Sequence, residues 1–201
     1  MYNFLFAFQA LSYITMPQRA KLFLDTEFTG LHQSTTLISL GIIAEDNSSF
    51  YVEFTDYDTT QIDNWLETNV LQKLTLKAHP EYYEAQPQNT QWELKGPQIW
   101  VLPKLRQFLN RFPAIEIWAD NPAYDWVLFC QLFGHALNIP SHICYIPFDL
   151  STLVWAKGID PDISREAFIA DQISNIDSAN KHNALWDAQV LKCCFEKASK
   201  M

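Results

Sequence analysis

The stretch Leu22-Phe23-Leu24-Asp25-Thr26-Glu27-Phe28-Thr29-Gly30 constrains this chain most: an apolar run that ends in two carboxylates and then a glycine. Its alternation and aromatic content read as a buried strand, in which residues i and i+2 share a face. Asp25 and Glu27 therefore lie side by side. Two carboxylates held that close at the edge of a core repel each other and lose solvation, which is costly unless a cation sits between them. Oxygen donors of this kind select a hard divalent ion, Mg²⁺ or Mn²⁺.

Alone, such a pair is also compatible with a solvated strand end, and its company further along decides the reading. Residues 36–44 and 49–54 read as two more strands joined by turn chemistry at Glu45-Asp46-Asn47-Ser48, which makes an antiparallel meander. A helix is expected over about 61–70 and loop over 78–96. A second helix is expected over 97–112, disturbed early by Pro103. Ile115–Ala119 is a fourth strand, and a helix follows over about 122–137. Residues 144–148 suit a fifth, edge-like strand because of Pro147, and helices over 149–156, 162–170 and 183–197 close the chain. Three antiparallel strands followed by strand and helix alternation predict an α/β protein with a mixed five-stranded sheet, in the order of the ribonuclease H-like fold.

Two further acidic elements fall at helix starts. Asn121-Pro122-Ala123-Tyr124-Asp125 follows the fourth strand, where α/β sheets place their sites; Asp125 is equally a carboxylate that complements a helix dipole, and Asp120 is its rival. His182-Asn183-Ala184-Leu185-Trp186-Asp187 opens the last helix, with Asp187 one turn in and His182 at its mouth. An imidazole there can take a proton from an attacking water near neutral pH. The other four histidines show no metal-ligand spacing.

The chain carries a net charge of −9, a poor fit to a protein that grips long nucleic acid through many phosphate contacts, but not to an enzyme holding one strand end with bound cations. Hydrophobic residues make up 48% of the 201, enough for a sizeable core. The four cysteines lack a Cys-x-x-Cys pair and read as reduced thiols of a cytoplasmic protein. Residues 1–15 are apolar without a basic start and too short to span a bilayer. Residues 1–16 are thus expected to be an extension or an over-extended start, ahead of one domain over 17–201.

Asp25-x-Glu27, Asn121-x-x-Tyr124-Asp125 and His182 five residues ahead of Asp187 resemble the three motifs of the DEDDh 3′-5′ exonuclease superfamily, in the right order and on the right elements. Its members include ribonuclease T, oligoribonuclease and the proofreading subunit of bacterial DNA polymerase III. The segments 37–46 and 70–74, with Ala184-Leu185-x-Asp187-Ala188, are most similar to the bacterial exoribonuclease AS-like group. The resemblance implies a two-metal phosphodiesterase releasing nucleoside 5′-monophosphates from a single-stranded RNA 3′ end or short oligoribonucleotide, with DNA as the alternative substrate and an idle binding module as a remote one. Asp25, Glu27 and Asp187 would hold one ion, Asp25 would bridge to a second supported by Asp125, and His182 would be the base. Thr26, Phe28, Thr29 and Gly30 are expected near the terminal sugar and base, and Trp126 and Trp186, each beside a proposed ligand, are candidates for stacking or equally for the core. Relatives that work as homodimers make a second copy a possible partner.

Overall fold

The computed structural model describes residues 18–85, 90–171 and 178–201; the expected extension over 1–16 lies outside them. The first strand, β1 (Ala20–Phe28), is the axis of the fold. It pairs antiparallel with β2 (Leu37–Ala44), which pairs antiparallel with β3 (Ser49–Phe54), as the meander predicts. A short helix α1 (Asn64–Asn69) follows, capped by the Asp63 side chain.

The segment read as loop contributes two strands instead, β4 (Tyr83–Glu84) and β5 (Gln91–Gly96). β5 runs parallel to β3, burying Trp92, Leu94 and Gly96 while Gln91 and Glu93 stay exposed. This one-sided alternation is what a strand covered on a single face shows. Helix α2 (Gln98–Leu109) contains Pro103 without a break; the proline sits on the exposed side, opposite buried Val101, Leu105 and Phe108.

Strand β6 (Ile115–Ala119) lies parallel to β1 on its other side. Helix α3 (Ala123–Leu132) ends earlier than the pattern suggests, as the chain turns through Gly134 at φ +93°. The expected edge strand over 144–148 is reduced to β7 (Phe148–Asp149), parallel to β6, because Pro147 can donate nothing to a ladder. Helices α4 (Leu150–Ala156), α5 (Arg165–Phe168) and α6 (Ala184–Ala198) complete the chain. Among the described residues the sheet is mixed and seven-stranded, in the order β4-β5-β3-β2-β1-β6-β7, not the five-stranded sheet expected.

Helices cover both faces. Leu22 and Leu24 of β1 join the cluster with Val101, Leu105, Phe108, Leu128 and Phe129, on the side of α2 and α3. Phe23 joins Leu150, Val154, Leu191 and Cys194, on the side of α4 and α6. The alternation carries on past the apolar run, so Asp25 and Glu27 continue the α6 face and Thr26 the α3 face. The candidate catalytic side chains described below are gathered at this end of β1.

Candidate active site

Helix α6 delivers Asp187 to β1 through a close backbone approach. A Cβ on Gly41, the β2 partner of Asp25, would stand 2.3 Å from the carbonyl oxygen of Ala184, so only glycine lets the helix start there. Asn183 caps the helix by accepting from the Trp186 amide at 3.2 Å. Its amide group donates to the Tyr51 hydroxyl at 3.2 Å and to the Lys73 carbonyl at 3.1 Å. Tyr51 in turn donates to Glu53, a carboxylate only 2% exposed, which also accepts the Leu76 amide at 2.8 Å. This buried network ties the start of α6 to β3 and to the 71–76 segment, and sequence reading missed it.

His182 precedes the cap with φ +66°, in the left-handed region. That turn aims its amide at Asp187 Oδ2, 2.8 Å away, and its ring at Glu27, with Nδ1 3.8 Å from Oε1. The edge of the ring meets Trp65 of α1, with centroids 5.2 Å apart. One donor atom from each of Glu27, His182 and Asp187 falls within 4.8 Å of the others.

Asp125 arrives from the opposite face. Placed in the first turn of α3, its Oδ1 accepts from both the amide of Thr26 at 2.9 Å and its hydroxyl at 2.6 Å. Thr26, expected near substrate, thus spends its donors on this carboxylate. Asp120 is held by the Arg165 fork, through Nε at 2.6 Å and one terminal nitrogen at 2.8 Å, and by Ser151 at 2.8 Å.

The electrostatics are those of an uncompensated anionic cluster. Burial raises the Asp25 carboxyl well above the usual range, reinforced by the charges of Asp125, Asp187 and Glu27. Burial, with Asp187 and Asp125 nearby, lifts Glu27 to about 8. Asp187 rises to about 7 through burial, opposed by the His182 amide and Lys181. Asp125 rises only to about 6, because the bonds from Thr26 oppose its burial. His182 is shifted down by burial and by Lys181 and Lys73, which favours the neutral ring. Carboxylates this crowded, with an imidazole beside them, suit a hard divalent cation, which would relieve the repulsion that burial has concentrated.

Two concavities flank the cluster. A polar cleft of about 290 Å³ is lined by Asp25, Asp120, Arg165, Glu166, Lys181 and Asp187. Beside Glu27 a more apolar cavity of about 410 Å³ is lined by Glu27, Phe28, Thr29, Gly30, Leu31 and Trp65. Phe28 is stacked on Tyr124 at 5.3 Å, and the Thr29 hydroxyl is engaged with Thr35, Thr36 and Gln61. Trp126 lines neither space: it stacks on Phe129 at 5.7 Å and packs, partly buried, on the core. Trp186 packs against the cluster around α6. Trp65, unmarked in the sequence, stands in the wall of the apolar cavity.

Comparison with known proteins places the chain. The family described as the 3′-5′ exoribonuclease Rv2179c-like domain matches residues 20–198. The chain belongs to this family. Two curated relatives from Mycobacterium tuberculosis, 3′-5′ exoribonuclease Rv2179c of strain ATCC 25618 / H37Rv and 3′-5′ exoribonuclease MT2234.1 of strain CDC 1551 / Oshkosh, are each 34% identical to it over 120 residues. That alignment covers 59% of this chain and 64% of either relative, so it spans less than two thirds of their length. The Rv2179c-like match, in contrast, runs from the first residue of β1 to the last of α6, and so takes in every side chain of the cluster. No helix among the described residues is long and apolar enough to cross a membrane.

Proposed function

We propose that this chain is a metal-dependent 3′-5′ exoribonuclease of the DEDDh type, most similar to the exoribonuclease AS-like group, with a ribonuclease H-like fold over residues 17–201. It would act on single-stranded RNA 3′ ends or short oligoribonucleotides in the cytoplasm. The observation that carries the reading is the meeting of Glu27, His182 and Asp187 within 4.8 Å, beside Asp25 and Asp125.

Asp25, Glu27 and Asp187 would hold one divalent ion, and Asp25 with Asp125 a second. Such a pair makes water a better nucleophile at neutral pH and stabilises the departing 3′ oxygen. The residues of the chain do the rest. His182, kept neutral and steadied by Trp65, takes the proton of the attacking water. Thr26 fixes Asp125 in place, and the His182 amide fixes Asp187. The terminal base enters the cavity beside Phe28, Leu31 and Trp65, where an aromatic wall binds any base face. Gly30, in the same wall, would set its backbone beside the terminal sugar, while the His32 ring fills the side a Cβ would take.

The test is digestion of end-labelled RNA and DNA ladders of one sequence with Mg²⁺ or Mn²⁺. Nucleoside 5′-monophosphates released stepwise from RNA support the reading. Equal or faster loss of DNA would favour a DNA exonuclease, and binding without turnover an inactive module.

A further inference from the structure

We infer that Lys181 is a phosphate-binding residue of this site, exchanging its partner Glu166 for a backbone phosphate of the RNA strand upstream of the scissile bond. The inference rests on the exonuclease reading and on the placement of the two concavities. The apolar cavity shares Glu27 with the carboxylate cluster and the polar cleft shares Asp25 and Asp187, so the two adjoin one centre at different carboxylates. A strand whose terminal base sits against Phe28 and Trp65 then has its scissile bond at those carboxylates and the polar cleft next within reach.

That cleft offers two cations, and they are not equivalent. Arg165 gives its donors to Asp120, Ser151 and the carbonyls of Ile163 and Pro161, and its side chain is 15% exposed; it is a fixed strut. Lys181 is 51% exposed, and its partner among the described residues is Glu166 Oε1 at 3.3 Å. An ion pair of this kind holds by little in water, so a phosphate can replace the carboxylate at small cost. In a chain of net charge −9, a lysine directly before His182 also offsets the repulsion that an incoming polyanion would meet.

Lys181 also bears electrostatically on His182 and Asp187. The experiment must therefore separate a contact with upstream phosphate from tuning of those two groups. A single-stranded RNA decamer and a nucleoside 5′-(p-nitrophenyl phosphate) do this, because the ester carries only the scissile phosphate. For Lys181→Ala, kcat/KM on the decamer relative to the ester falls about tenfold, mostly through KM, as expected for a lost charge-assisted bond. The slope of log kcat/KM against log salt on the decamer flattens by about 0.7, the value for one phosphate of a single strand. Lys181→Arg restores both, and Glu166→Gln lowers KM for the decamer by freeing the ammonium. Equal losses on the two substrates, or an unchanged salt slope, overturn the assignment. Wild-type protein inert towards both substrates would defeat the exonuclease reading instead; Lys181 is then judged by fluorescence anisotropy of the labelled decamer, where unchanged affinity in Lys181→Ala overturns it.

Discussion

Thr26 holds Asp125 with two hydrogen bonds, amide and hydroxyl, across 99 residues of sequence. The strand that carries Asp25 and Glu27 on one face thus anchors a third carboxylate through the residue between them. The hydroxyl bond keeps the Asp125 carboxyl lower than burial alone would put it. Thr26→Val removes that donor while keeping the shape. It should destabilise the fold by about 1.5–3 kcal/mol above the titration of Asp125, where the carboxylate is charged. It should also move the acidic limb of the kcat profile to higher pH, since Asp125 then ionises later. Thr26→Ser should restore both. Matching pH profiles for all three proteins would show that the hydroxyl does not govern Asp125.

Protons stand in for metal in the cation-free protein. Glu27 and Asp187 titrate at about 8 and about 7 when folded, well above their ordinary values of 4.5 and 3.8. The folded chain therefore binds more protons than the unfolded chain between those limits. The stability this confers is complete below about pH 4 and lost as pH rises through 7 and 8. His182, with its depressed value, has the opposite effect only below about pH 6.5. In EDTA, Tm should fall from pH 6.5 to about 8 and level off above it. Saturating Mn²⁺ should flatten the fall and release protons on binding, measurable by calorimetry in buffers of different ionisation enthalpy. A flat Tm in EDTA over that range would mean the carboxylates are not crowded.

The same crowding sets stability against activity. Asp187→Asn removes one charge yet keeps an oxygen that can accept the His182 amide. At pH 8 in EDTA the variant should melt about 2–4 °C higher than wild type, the shift that about 1 kcal/mol produces in a chain of this size. Its turnover of RNA should drop by more than about a hundredfold, beyond the usual cost of losing a supporting partner of a metal ligand. Differential scanning fluorimetry and a nuclease assay on one preparation read both. A variant that is less stable in EDTA would count against mutual repulsion as the dominant force there.

Sequence made some of this legible and hid the rest for identifiable reasons. That Asp25 and Glu27 share a face follows from the period of a strand, and that Asp187 lies one turn into a helix follows from the asparagine cap ahead of it. β5 was hidden because its polar residues and the preceding Pro80 and Pro87 resemble loop, while its parallel partner β3 lies some forty residues earlier. The Asn121-x-x-Tyr124-Asp125 pattern favours Asp125 over Asp120 in sequence; the fold separates them through Arg165, 45 residues beyond Asp120, which it claims. Trp65 sits on a six-residue helix whose position opposite His182 depends on the whole fold. Local periodicity speaks for strands and helix starts, and pairings between distant elements speak only once the chain is folded.

Asn183 performs two tasks that a pair of substitutions can separate. Its oxygen caps α6, and its nitrogen binds the Tyr51 hydroxyl and the Lys73 carbonyl, locking the turn that carries His182. Asn183→Ala removes both, leaving the part-buried Lys73 carbonyl without this donor, and should cost about 2–4 kcal/mol. Asn183→Ser keeps a capping oxygen but is too short to reach across to Tyr51. It should regain about 1 kcal/mol of that loss by chemical denaturation. The serine variant should nevertheless recover little turnover, because His182 and Asp187 are positioned by the cross-link to β3 rather than by the cap. KM for RNA should change less than kcat in both variants, since neither Tyr51 nor Asn183 lines the concavities beside the carboxylates. A serine variant with wild-type kcat would assign the placement of His182 to the cap alone and reduce the Tyr51–Glu53 network to packing.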